Sequence, residues 1–196
     1  MSKANLFLSE GTAQQFVKAL LIDVSTHTAL NHPYLVRLAN GDLPDVDEAL
    51  RDYAFNYSHY SKDFVHYLEG VVSRIKNKKH QQLIRENLLE EEGKPGAAAL
   101  EDRPHVEIFE DFKYRIGADK NYYGKSELCK SVQHWRTSFI GYCHDEDLGV
   151  GLGAIGLGTE HIVPTIYPYF VEAITKHSTF DDKTSLFFDL HVECDD

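Results

Sequence analysis

Three stretches of this sequence pair carboxylates with imidazoles at spacings that can converge on a metal ion. The first is Glu90-Glu91-Glu92, halted by Gly93-Lys94-Pro95-Gly96 and followed by His105. A run of glutamates usually marks a solvated face. At a helix C-terminus, however, carboxylates oppose the macrodipole at a cost of about a few tenths of a kcal/mol each. Leu88 and Leu89 precede them, so at least one is expected to turn inward. Asn87 and Glu91 share a face at i, i+4, while Glu90 and Glu92 stand as alternatives to Glu91. The second is Glu160, following Gly151, Gly153, Gly156 and Gly158 and the apolar residues between them. Burial there requires a cation or a hydrogen-bond donor; otherwise Glu160 faces solvent while the glycines pack on a neighbour. The third is His191 and Asp195, an i, i+4 pair on one helical face. Leu186, Phe187, Phe188 and Val192 suggest that this face is partly core, the alternative being a surface salt bridge. Carboxylates and histidines projecting from several helices are how bundles build di-metal sites. Hard oxygens with imidazole and no thiolate favour iron or manganese over structural zinc.

These groups need helices to position them, and the sequence supplies helical periodicity almost throughout. A first helix is expected over 12–31, a short segment over 32–39 and a turn at Asn40-Gly41. Pro44 and Asp45 then open a long helix, Pro44 at a first-turn position. Its apolar stripe is Phe64, Tyr67, Leu68, Val71, Val72 and Ile75. Further helices are expected over 81–92, from about 104 to 117, over 124–143, over 149–176, and from 183 to the last residue. Tyr57, Tyr60 and Tyr67 recur along the long helix. They either pack in the core with hydrogen-bonded hydroxyls, line a substrate cavity, or supply electrons. With no strand-period segment and no internal repeat, the fold class is all-α, a bundle of six or seven helices forming a single domain over 1–196.

Composition removes several functions. Lys and Arg number 20 against 31 Asp and Glu, a formal charge of −11. This excludes a phosphate-backbone binder, which needs clustered basic residues. No apolar run approaches the roughly 18 residues of a membrane span, and the N-terminus lacks the pattern of a secretory signal. Cys129, Cys143 and Cys194 carry neither zinc nor disulfide spacing, which fits the cytoplasm. Gly151, Gly153 and Gly156 match G-x-G-x-x-G, but the acidic loop before them is no strand, so the dinucleotide reading fails. The glycines are expected instead to let a neighbouring helix, or a ligand, approach closely.

His32-Pro33-Tyr34-Leu35, Gly41-Asp42-Leu43-Pro44, Tyr57, His59-Tyr60 and Phe64 resemble the N-terminal half of the TenA, PqqC and CADD-like superfamily. The stretch 87–93 with His105 resembles the first metal-ligand segment of that superfamily's haem-oxygenase-like di-iron branch. Gly158-Thr159-Glu160 with Val163-Pro164 resembles the segment supplying a central carboxylate, and His191-x-x-x-Asp195 the opening of a His-x-x-x-Asp-x-x-x-His segment. The resemblance implies a haem-oxygenase-like bundle with two iron ions, or manganese in their place, and O₂ as co-substrate. Glu91 and His105 would hold one metal, His191 and Asp195 would contribute to the second, and Glu160 would be shared. It also implies a small-molecule substrate and a homodimer. The motif's last histidine would fall four residues after Asp195, beyond Asp196, so the domain is expected to lack its C-terminal end.

Three other readings compete. A metal-free relative resembling TenA or PqqC would bind a small heterocycle through polar groups. A haem protein would use His27 as proximal ligand, with the glycine-rich helix across the haem. A partner-binding protein would keep only a vestigial pocket beneath an acidic surface.

Overall fold

The computed structural model describes residues 12–118 and 128–193, and among them every regular element is helical. Helix α1, Ala13–Ser25, opens with a capping box in which Thr12 and Gln15 exchange side-chain and backbone hydrogen bonds, worth about 1 kcal/mol. It stops six residues short of the expected end, and a 3₁₀ turn, Thr28–Asn31, follows. Helix α2, Pro33–Ala39, is capped by His32 Nδ1, which accepts from the Tyr34 amide. Helix α3, Val46–Ser61, is capped by Asp45, whose carboxylate accepts from the Glu48 amide. Pro44 therefore precedes the cap rather than entering the first turn. The long helix expected to continue from here breaks at Lys62-Asp63 and resumes as α4, Phe64–Val72.

Helix α5, Lys78–Glu92, starts where Asn77 accepts from two backbone amides and ends at Gly93. Helix α6, His105–Arg115, and helix α7, Lys130–Cys143, follow. Asp63, at the break between α3 and α4, accepts from Arg136 Nε of α7 at 2.5 Å, which ties the break to its neighbour.

The single helix expected over 149–176 is interrupted. Helix α8, Leu148–Leu152, passes into a π turn, Gly153–Leu157, then a 3₁₀ turn, Glu160–Ile162, before α9, Val163–His177. Glycine costs about 1 kcal/mol per position in a helix interior, and Thr159 Oγ1 bonds the Ala154 carbonyl at 3.1 Å, drawing it away from the regular ladder. Pro164 then sits in the first turn of α9, where its missing N–H costs nothing. Only one glycine of the G-x-G-x-x-G triad meets the close-packing expectation. A Cβ on Gly151 would lie 3.0 Å from Val71 Cγ2, whereas Gly153 and Gly156 face open space. Helix α10, Leu186–Glu193, completes the described chain.

Two hydrophobic clusters hold the bundle together. The larger joins Leu38, Leu50, Phe109, Phe112, Phe170 and Phe188 from five helices, with Phe170 and Phe188 stacked at 5.1 Å. The smaller centres on Tyr60, Tyr67, Leu68, Val71 and Phe139. Each fully buried aromatic or leucine contributes about 1.5–3 kcal/mol. Tyr57 packs against both clusters, and the polar chamber described next lies at their junction. Among the described residues no helix is long and apolar enough to cross a membrane.

Candidate metal centre

Four elements border one small chamber of about 40 Å³, which Glu91, His105, Glu160 and His191 line. Glu91 comes from the last turn of α5, and its side chain is 13% exposed. Glu90 and Glu92 face solvent, so the helix turns one carboxylate of the three inward. His105 is the first residue of α6 and reaches the same space after the loop folds back. Gly93 permits that return. Its φ of +46° is open to glycine, and a Cβ there would stand 2.4 Å from the Arg103 carbonyl carbon and 2.5 Å from the Pro104 nitrogen. The chain passes itself at backbone contact immediately before the histidine.

Glu91 Oε1 and His105 Nδ1 are 3.0 Å apart, yet the imidazole nitrogen is buried and not aligned as a hydrogen-bond partner. Two donors about 2.1 Å from a first-row divalent ion, at right angles to each other, stand about 3.0 Å apart. His191 completes a group whose donor atoms all lie within 4.8 Å of one another. His191 Nδ1 bonds the Phe187 carbonyl at 2.7 Å. That contact assigns the proton to Nδ1 and leaves Nε2 as the nitrogen able to ligate, the usual second contact of a metal-binding histidine. The rings of His105 and His191 meet edge to face at 4.6 Å, and Phe187 packs on His191 at 4.5 Å.

Glu160 borders the chamber from the 3₁₀ turn, outside the tight group of three. It owes this position to the break in the helix, which releases it from the α-helical register the sequence suggested. Burial lowers the tendency of His105 to ionise, but the carboxylates of Glu91, Glu160 and Glu90 outweigh it and raise the histidine above its ordinary range. A chamber that draws a proton onto its histidine in this way attracts positive charge generally. The donor set of hard carboxylate oxygens and imidazole nitrogens fits iron. Asp195 lies outside the described residues.

Beside this chamber lies a cavity of about 680 Å³, within the range of small-molecule sites. Tyr57, Thr159, Val163 and Tyr167 border both spaces. Tyr57 Oη and Tyr167 Oη share a hydrogen bond of 3.0 Å, and Tyr60 Oη bonds Thr159 Oγ1 at 3.1 Å. These two bonds form the partition. Burial, then the neighbouring phenol, pushes Tyr57 well above its ordinary pKa; for Tyr167 burial leads and the Tyr53 phenol follows. Both remain protonated at neutral pH.

Tyr57 and Tyr60 thus stand where a substrate-lining role requires, and Tyr67 does not. Its ring is 1% exposed, enclosed by Tyr60, Phe64 and Phe139, and borders neither space. His27, the ligand of the haem reading, caps the Thr28–Asn31 turn by accepting from the Ala29 amide and borders neither space either. Tyr167, Thr159 and Trp135 escaped the sequence reading. Thr159 lay within a motif already singled out; Tyr167 and Trp135 carry no local signal, since their position depends on helix packing.

The chain is 25% identical over 167 residues to a 4-aminobenzoate synthase of Chlamydia pneumoniae, an alignment covering 85% of this chain and 70% of that protein. Residues 51–196 match the sequence family described as iron-containing redox enzymes, a span that includes every chamber residue named above. With that match over most of its length, and with a carboxylate–imidazole chamber suited to iron, the chain belongs to the iron-containing redox enzyme family.

Proposed function

We propose that this chain is a non-haem iron oxidase or oxygenase that uses two iron ions and O₂ to oxidise a small organic molecule held in the 680 Å³ cavity. One observation carries the reading: Glu91, His105 and His191 converge within 4.8 Å, with Glu160 on the same chamber, behind a tyrosine partition from a substrate-sized space. Glu91 and His105 would hold one ion, His191 and Asp195 would contribute to a second, and Glu160 would lie between them. Iron bound there would supply one-electron redox chemistry and a position for O₂.

The chain's own part is positioning and exclusion. Phe64, Phe109 and Phe187 line the chamber and restrict water. The Tyr57 and Tyr167 hydroxyls, protonated at neutral pH and bonded to each other, leave one O–H to donate at the boundary where substrate meets the chamber. The relative's name, a synthase of an aromatic acid, supports a biosynthetic oxidation, and the cavity's rings suit a flat apolar body. Ferrous iron and free thiols also suit the cytoplasm, and the family resemblance extends to a homodimer.

Anaerobic titration of the full-length chain with Fe(II), followed by rapid mixing with oxygenated buffer, tests the proposal. The expected result is about two irons per chain and a transient visible absorption, both lost in Glu160→Ala. Failure to bind iron would overturn the reading and favour the metal-free one.

A further inference from the structure

The wall of the small chamber is uneven. Among its described lining residues Val106 alone is exposed, at 38%; Phe64, Phe109, Val163, Tyr167 and Phe187 are buried and the others half-buried. Val106 also lines a second space, an open surface pocket of about 330 Å³ bordered by Arg103, Glu107, Glu110 and Asp111. It is the one described residue common to the chamber and to that pocket. The shared side chain marks the shortest way from the proposed ligands to solvent.

A hydrated divalent ion cannot enter the chamber whole. An octahedral ion carries about six waters, and each needs at least roughly 10–15 Å³ of cavity space. The pocket outside has that room and the 40 Å³ chamber does not, so the ion must shed water on its way in. The pocket's charges favour this. Asp111 and Glu107 stand 2.8 and 3.8 Å from Arg103, and Glu110 stands 2.7 Å from Lys113. Three carboxylates thus face two cations, and a negative surplus at a mouth concentrates positive ions there.

Val106 follows His105 directly, in the first turn of α6, where no side chain caps the helix. A valine in a helix has one strongly preferred rotamer, so its methyls do not swing clear by rotation alone. Opening requires movement of the uncapped first turn, and helix ends are where such fraying is least costly.

We propose that this pocket is the port through which the divalent metal ion enters and leaves, and that Val106 is its gate. The inference rests on the metal binding proposed above and adds the route.

The test is the rate of metal exchange, read separately from affinity. Full-length metal-free protein is mixed anaerobically with Fe(II) alone, and free iron is trapped with ferrozine at timed delays to give uptake. Iron-loaded protein mixed with excess ferrozine gives release, and calorimetric titration gives the dissociation constant. Val106→Ala should speed uptake and release at least about threefold, and Val106→Phe should slow both at least about tenfold. Dissociation constants should stay within about twofold, because a gate changes the barrier and not the end states. Thermal melts show whether each variant is folded; the two shift the rates in opposite directions, so either one reads the gate. Unchanged rates in folded variants, or affinity that changes with the rates, would overturn the proposal. Rates that respond to Tyr57→Phe and not to Val106 would overturn it too, placing the route through the large cavity. Absence of iron binding in the parent sinks the function proposed above and the port with it. Iron binding with exchange rates indifferent to Val106 sinks the port alone.

Discussion

Gly93→Ala should damage the candidate metal centre without altering any of its proposed ligands. A Cβ at this position would lie 2.4 Å from the Arg103 carbonyl carbon, and ordinary contact begins at 3.4 Å. The α5 exit and the α6 entry must therefore separate by the difference, 3.4 − 2.4 = 1.0 Å. Neither contact atom can rotate aside, because both belong to the backbone. The added methyl also meets a backbone with φ +46° and ψ −155°, a region that is close to glycine-only and costs about 1–3 kcal/mol for another residue. Overpacking adds roughly 1–3 kcal/mol. A combined loss of about 2–6 kcal/mol corresponds to a fall in melting temperature of roughly 5–20 °C for a chain of this size. Glu91 stands two residues before Gly93 and His105 two after Arg103. A 1.0 Å separation acts directly on their 3.0 Å spacing, and iron affinity should drop about 10–100-fold, as for other changes that displace metal ligands. The assay is anaerobic Fe(II) titration at a temperature where the variant is folded, alongside thermal melts of the metal-free chain. Gly96→Ala is the control: Gly96 also has positive φ, at +72°, but nothing lies within 4 Å of its Cβ position. It should lose about 1–2 kcal/mol and keep wild-type iron binding. If Gly93→Ala bound iron as tightly as the parent, the backbone contact would not be what sets the Glu91–His105 distance, and the argument would fail.

Two further outcomes are expected. His105 has its pKa raised in the folded, metal-free chain by the carboxylates around it, against the effect of burial. Its contribution is fully present below the ordinary histidine value of about 6.5 and is lost as pH rises through the raised one; calorimetric melting temperatures of chelator-treated protein should fall across that window, less steeply in Glu91→Gln, and a rise would contradict the sign. Cys129 is exposed and held below its usual pKa by the Ser131 hydroxyl and the amides of Ser131 and Val132, whereas burial pushes Cys143 up to about 11. Brief iodoacetamide treatment of a Cys194→Ser background, read by peptide mass spectrometry, should label Cys129 well before Cys143; equal labelling would refute the assignment.

The sequence by itself determined the all-helical class, because apolar residues at helical spacing recur almost throughout and no strand-period segment competes. It also narrowed the carboxylates and imidazoles that now share one chamber: Glu91, His105, Glu160 and His191 were all legible from residue type, flanking apolar residues and the stop at Gly93 to Gly96. It did not determine which glutamate of the triplet turns inward, since a one-residue change on a helix rotates a side chain by about 100°, and only packing of α5 fixes that rotation. Nor did it reveal the break between Leu152 and Val163. Its glycines were read as a packing surface, while in the structure they weaken the helix enough for Thr159 to draw off a carbonyl and for Glu160 to leave the helical register. The tyrosine partition is purely tertiary. Tyr57 and Tyr167 are 110 residues apart, and Tyr67, one helical face removed from Tyr57 after the break at Lys62-Asp63, ends in the core instead. Periodicity records which face of each helix is buried, but the rotation and breaks that bring two faces together follow from the packed volume of their neighbours.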